Sequence, residues 1–198
     1  KVQQGGDLGG GWGGNVPKLS VVLSNGVNLI EIEARNAGGP AGLIISGVDN
    51  KTGTVLFRTD ENWHYIQPPK PVEFRYSKYT KNANVLGQFG IKPWGSKSKF
   101  VDNKAYWIWD TKNANKSAPK NTSKNPVLLQ YIYNNKTGQN INATLHFIVD
   151  NSCTLRVNGV KQGENYAGGW NNLNYPKVSI LIRPGRNRFS FKAKNIAK

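Results

Sequence analysis

VQQGGDLGGGW at residues 2–12 returns as VKQGENYAGGW at 160–170, and PKLSVVLSNGVNLIEIEARN at 17–36 returns as PKVSILIRPGRNRFSFKAKN at 176–195. The offset is 158 at the Trp12/Trp170 pair and 159 from Pro17/Pro176 onward, so one residue separates the two halves of the match. Val2, Gln4, Gly5, Gly10, Gly11, Trp12, Pro17, Lys18, Ser20, Gly26, Asn28, Ala34 and Asn36 recur unchanged. A repeat of this kind governs every other reading of the chain. The first copy runs on into NAGGPAGLIISGVDNKTGTVLFRTDENWHY (36–65), whereas the second stops at Lys198. On this reading the chain is a window cut out of register from an array of modules of roughly 160 residues. Residues 1–65 are then the rear part of a first module, 66–103 a connector, and 104–198 the front part of a second.

The repeated passage is also a strand pair. KLSVVL (18–23) and VNLIEIEA (27–34) flank Ser24-Asn25-Gly26, a hairpin signal because Asn and Gly tolerate positive φ. AGLIISGVD (41–49), the turn Asn50-Lys51-Thr52-Gly53 and TVLFRT (54–59) form a second hairpin. AYWIW (105–109), VLLQYIY (127–133), INATLHFIVD (141–150), CTLRVNG (153–159), KVSILI (177–182) and NRFSFKAK (187–194) read as further strands, with Asp49/Asn50 and Asp150/Asn151 as turn residues at strand ends. No segment keeps a helical period. Short strands with frequent turn signals predict an all-β, antiparallel sandwich of jelly-roll type, in repeated modules.

A front module at 104–198 lacks its own counterpart of AGLIISGVD and VLFRT. A neighbouring chain, a continuation, or residues 38–59 of this same chain must therefore cover an apolar edge. The connector begins with Pro68, Pro69 and Pro71, which stiffen it as an extended segment. It is rich in Lys, yet Phe74, Tyr76, Tyr79, Phe89 and Trp94 make it too aromatic for a free linker. It is expected to lie against a surface, its own modules or a neighbouring subunit, as an assembly element.

Charge is lopsided. Residues 1–65 carry five basic and six acidic groups, and residues 66–198 carry 22 and five, for a net of +16 over the chain. Such a field favours acidic partners. The lysines stand singly, without the arginine-rich runs or base-stacking motif of a dedicated nucleic-acid module, so nucleic acid is disfavoured. No apolar run approaches the length of a membrane span. The lone Cys153 reads as a buried, inert thiol.

The residues do not spell out catalysis. His64 and His146 are far apart, the acids are dispersed, and no nucleophile elbow, phosphate loop or metal-spaced cluster occurs. No catalytic residue, metal or cofactor is assigned, and the chain is read as a non-enzyme. Of the six tryptophans, Trp107 and Trp109 are two apart and share a strand face, with Ile108 opposite, which suits a core. Trp63 suits a strand-end cap. Trp12 and Trp170, in matching glycine-rich loops, either plug the end of a sandwich or offer a stacking platform to a sugar ring. Asn-x-Ser/Thr triplets at Asn50, Asn115, Asn121, Asn135 and Asn142 are expected by chance in so Asn-rich a chain.

Taken across both copies, the order AYWIWDT, NATLHFIVDN, CTLRVNGV, GGW, VSILIRPGRN, NAGGPAGLIISGVD and VLFRTDENW resembles galactose-binding-domain-like β-sandwich modules. Such modules recur in surface and capsid-associated proteins of large DNA viruses, algal and amoebal ones included, and as carbohydrate-binding appendages of enzymes. FGIKPWGSKSKFVDNKAYWIW (89–109) is similar to the lead-in of one. The resemblance implies a virion structural component, a minor capsid or surface protein, whose partners are other capsid or surface proteins. Its alternatives are a module attaching a virus or enzyme to an acidic or neutral glycan, with an extracellular location, and the non-catalytic fragment of a polysaccharide-degrading enzyme.

Overall fold

The computed structural model describes residues 18–20, 30–35, 39–66, 81–96, 100–118, 127–168 and 177–194. Among them the secondary structure is all β, arranged as two antiparallel sheets with no helix. One strand, Ile141–Val157 (β10), belongs to both sheets. Its first part, 141–150, pairs with Gly42–Asp49 (β3) on one edge and Lys177–Ile182 (β12) on the other. Beyond β3 lie Val55–Arg58 (β4) and Tyr106–Trp109 (β8), and Asn84–Gln88 (β7) pairs with β8. Its second part, 152–157, pairs with Gly185–Lys194 (β13), which pairs in turn with Val127–Asn135 (β9). His64–Ile66 (β5) and Lys81–Asn82 (β6) complete that sheet beyond β9. Val160–Gly168 (β11) folds back on β10 through Asn158–Gly159, both in the left-handed region (φ 51 and 81) that this two-residue turn requires.

The sequence predicts two strands, 141–150 and 153–159, with a turn at Asp150/Asn151. The structure runs a single strand through that point. The segment contains neither Gly nor Pro, and an interior Asp does not break a strand when a partner receives its side chain. By contrast Asp49/Asn50 does turn the chain, with the Lys51 N–H donating to Asp49 Oδ1 at 2.8 Å.

The first sheet is covered on both faces. Leu43 and Ile45 of β3, Ile108 of β8, and Leu145, Phe147 and Val149 of β10 join the main core, together with Phe189 and Phe191 of β13. Ile44, Trp107 and Ile148, their alternate neighbours, face the other way into a second cluster with Trp94 and Phe100. Runs such as LIIS and HFIVD therefore do not alternate: both faces are dry. Trp107 and Trp109, expected to share one core, divide between the second cluster and the main one.

Residues 42–58 of this same chain fill the edge that the second module was expected to leave open. β3 is hydrogen-bonded along β10 from Ala143 to Asp150. β5, from the first 66 residues, closes the far side of β9. Hydrogen bonding thus crosses the sequence divisions at 66 and 103.

Candidate functional site: a strand slot and an aromatic cover

The described part of the connector forms a third layer over the first sheet. Trp94 stacks on Trp107 with ring centroids 4.0 Å apart and an interplanar angle of 16°. Its indole Nε1–H donates to Asp150 Oδ2 at 2.9 Å. Gly42 passes beneath the pair so closely that a Cβ there would sit 2.8 Å from ring atoms of both tryptophans. Phe89 and Ile91 pack around the cluster, and Phe89 lies 5.7 Å from Phe100. Burial pushes the Asp150 carboxyl up to about 6, against the lowering effect of the Trp94 hydrogen bond.

A second tie holds the end of this cover. Asp102 Oδ2 accepts from Ser46 Oγ–H on β3 and from Arg58 Nε–H on β4, each at 2.7 Å, while its Oδ1 accepts from the Lys104 N–H. Burial alone would raise the Asp102 carboxyl. The Arg58 and Ser46 hydrogen bonds, the Lys104 N–H and the Arg58 charge together hold it below the usual carboxylate range. Ser46 shares the outer face of β3 with Ile44, so Trp94 and Asp102 pin the cover at two points of one face.

The histidines stay apart. His64 lies on β5, and His146 lies on β10 directly opposite Lys177. Burial, with the Lys177 charge added, pushes His146 down to about 4. Among the described residues no three His, Cys, Asp or Glu side chains gather as a metal site would need. No helix there is long and apolar enough to cross a membrane. Cys153 is fully buried and its thiol is pushed well above the ordinary value.

Of the residues singled out in the sequence, Trp12, Trp170, Phe74, Tyr76 and Tyr79 lie outside the described residues. Trp94 is 1% exposed, and Phe89 is partly buried beside it. Trp63, expected as a cap, is instead a core residue: it stacks on Tyr131 (5.2 Å), meets Phe191 (5.3 Å) and donates its Nε1–H to the Arg58 carbonyl. Asn135, which heads one of the Asn-x-Ser/Thr triplets, is 2% exposed. Its amide donates to the Gln139 and Ile182 carbonyls, so the folded chain does not present it to a glycosyltransferase.

The most unusual geometry concerns the duplicated strands. Val149 of β10 faces Leu43 across one edge and Gly168 of β11 across the other. With β11 following on the second edge, residues 152–157 have one edge left. β13 takes it, with Cys153 opposite Ala193, Leu155 opposite Phe191 and Val157 opposite Phe189. Ile30–Arg35 (β2) takes the same edge at the same register, with Cys153 opposite Ala34, Leu155 opposite Ile32 and Val157 opposite Ile30.

The shared claim extends to the next neighbour. On β9, Ile132 faces Arg188 of β13 and the preceding residue, Tyr131, faces Ile30 of β2, the counterpart of Phe189. β2 and β13 also pair with each other in parallel, Ala34 to Ala193, at the repeat offset. Lys18–Ser20 (β1) lies beside β12 in the same way, Lys18 to Lys177. One edge of β10 supplies one row of N–H and C=O groups. Two strands cannot hold that row together, so the slot between β10 and β9 takes one strand, and the sequence contains two copies whose register matches it.

Local chemistry shows how an occupant is held. Gly185 has φ +84, and Asn187, fully buried, donates its amide to the Arg183 and Gly185 carbonyls while its Oδ1 accepts the Arg183 N–H. Gly26 and Asn28 repeat these two residues in the first copy. Arg188 donates to Gln130 Oε1 at 2.7 Å in a buried bond, and its N–H meets Asn158 Oδ1. The first copy has Leu29 at the position of Arg188, and Ile30 and Ile32 at those of Phe189 and Phe191.

No family model, curated protein or solved structure matches this chain. The site must be read from its own geometry. Sequence reasoning found the duplicated strands but not their shared slot. It missed Asp150, whose one signal was the unbroken strand pattern on both sides of it. Ser46, Arg58, Asp102, Gln130 and Arg188 carried no signal, because their roles depend on partners 44 or more residues away.

Proposed function

We propose that this chain is a non-enzymatic structural component of a virion, a minor capsid or surface protein whose jelly-roll sandwich makes protein–protein contacts. The observation that supports it is the closing strand pair written twice in the chain, at 17–36 and 176–195. A sandwich whose closing strands exist twice can be completed from outside as well as from within, and a completed strand pairing is a strong, directional contact between modules. The virion setting rests on the resemblance of NATLHFIVDN, VSILIRPGRN and NAGGPAGLIISGVD to galactose-binding-like modules of large-virus surface proteins. The basic balance of 66–198 suits acidic protein neighbours.

The four described tryptophans, Trp63, Trp94, Trp107 and Trp109, are at most 1% exposed and offer no face to a sugar. A glycan-binding reading therefore depends on Trp12 and Trp170. Quantitative mass spectrometry of purified particles tests the proposal: peptides of this chain should be present at a fixed stoichiometry to the shell proteins. Its absence from particles, together with micromolar glycan binding abolished by Trp12→Ala or Trp170→Ala, overturns the structural reading in favour of a glycan-binding module.

A further inference from the structure

We infer that one end of the sandwich, where the turns at 49–54, 135–141 and 183–187 meet, is a docking site for an acidic segment of a neighbouring protein. This rests on the structural reading above and names the chemistry of its partner. The tetrapeptide Asn-Lys-Thr-Gly occurs at 50–53, between β3 and β4, and again at 135–138, between β9 and β10. The two copies fold alike. Gly53 and Gly138 have φ +70 and +74. In each turn the Thr hydroxyl accepts the N–H two residues on, Thr52 from Thr54 at 3.2 Å and Thr137 from Gln139 at 3.3 Å. Each turn leaves its lysine, Lys51 or Lys136, exposed.

Hydrogen bonds bring the turns together. The Asn50 N–H donates to the Asn142 carbonyl at 2.9 Å, which sets the first turn beside the start of β10. The second turn leads directly into β10, and the Asn135 amide donates to the Ile182 carbonyl at the end of β12 at 3.3 Å. There the third turn begins, Arg183-Pro184-Gly185-Arg186-Asn187, with Gly185 opposite Asn135 and Arg186 opposite Asn134. The Asn187 bonds to Arg183 and Gly185 fix its backbone. Three fixed turns thus carry Lys51, Lys136, Arg183 and Arg186 at one end of the body.

The one carboxylate of these turns is Asp49, partly buried, whose Oδ1 accepts the Lys51 N–H. The end is therefore positive and favours an anion. Partial burial pushes the Arg183 guanidinium down, and its Nε–H meets no acceptor among the described residues. An anion beside that guanidinium offsets solvation that folding has removed. The turns hold no aromatic residue, and Tyr133, just before the second, packs on Phe57 and Phe189. A sugar ring or a nucleotide base has nothing to stack on there. Carboxylates of an acidic polypeptide match the charge without needing such a platform.

Fluorescence anisotropy of a labelled oligoglutamate with the full chain at about 0.1 M salt provides the test. Lys51→Gln, Lys136→Gln, Arg183→Gln and Arg186→Gln together should weaken binding about tenfold or more, the combined loss of four exposed charge pairs. Removing as many exposed charges elsewhere, with Lys81→Gln, Lys92→Gln, Lys104→Gln and Lys112→Gln, should weaken it less than about threefold, because salt screens charges beyond about 10 Å. Equal losses in the two variants, or no saturable binding by the unaltered chain, overturn the site. So does tighter binding of a heparin oligosaccharide that the first four substitutions abolish, which assigns this end to an anionic glycan instead. Should Arg183→Gln cost the native circular dichroism, the variant with the other three substitutions decides: a loss of about fivefold or more supports the site, and a smaller one overturns it. None of these results touches the particle measurement on which the structural role depends.

Discussion

Replacing Trp94 by Phe isolates the contact that fastens the aromatic cover to the sheet. The indole donates to Asp150 at 2.9 Å, and Asp150 is 5% exposed. Its carboxyl sits at about 6 in the folded chain against 3.8 for the unperturbed group. Two pKa units at about 1.36 kcal/mol each make the buried charge a liability of about 3 kcal/mol at neutral pH. The sign follows from proton counting. Between 3.8 and about 6 the folded chain binds more protons than the unfolded one, so this group's contribution to stability falls as pH rises and reaches its full cost above about 6.

The Trp94 N–H offsets part of that cost. Its loss in Trp94→Phe removes a charge-assisted bond worth about 1.5–3 kcal/mol when Asp150 is ionised, but a neutral one worth about 1 kcal/mol when it is protonated. Urea denaturation of the unaltered chain, Trp94→Phe, Asp150→Asn and the double variant at about pH 4 and about pH 7.5 separates these terms. Trp94→Phe should cost about 1–2 kcal/mol more at the higher pH when Asp150 is present, and equal amounts at both when it is combined with Asp150→Asn. Asp150→Asn, which keeps an oxygen for the indole, should stabilise by about 1–3 kcal/mol at the higher pH and hardly at all at the lower. Comparison at fixed pH cancels every other titration. Equal costs of Trp94→Phe at both pH values, or destabilisation by Asp150→Asn at the higher, would refute the reasoning.

Two further outcomes follow from the same surfaces. Gly42→Ala should destabilise by about 1–3 kcal/mol and change the near-ultraviolet circular dichroism, because its Cβ meets the Trp94–Trp107 stack; full stability would mean that the rings do not press on β3. His146, held at about 4 in the folded chain against 6.5, makes the unfolded chain the stronger proton binder between those values, so its share of stability is lost as pH falls from about 6.5 toward about 4. His146→Gln should flatten that loss in a denaturation series across pH, and an unchanged slope would place His146 in water.

Much of the fold was legible because local patterns report local facts. Asn50-Lys51-Thr52-Gly53 marked a turn that the structure keeps, with Gly53 at φ +70. Apolar, aromatic and alternating runs marked β3, β9, β12 and β13 to within about two residues at each end, the usual precision of an element boundary. Asp150 misled because an Asp-Asn pair favours turns through its side chain, and here Trp94, 56 residues away, takes that side chain instead. Trp107 and Trp109 misled because spacing along a strand gives faces but not what covers each face.

From the order of residues alone it follows that the chain is built of strands, and that one strand pair is written in it twice at a separation of 159 residues. Period, turn chemistry and self-similarity are properties of neighbouring residues and need no partner. The packed structure was needed to show that residues 42–58 close the sheet begun by 141–150, that Trp94 and Asp102 seal its outer face, and that both written copies address one edge of β10. Those are choices between distant edges. A strand's own residues state what it can pair with, and only the packed body leaves a single edge for two claimants.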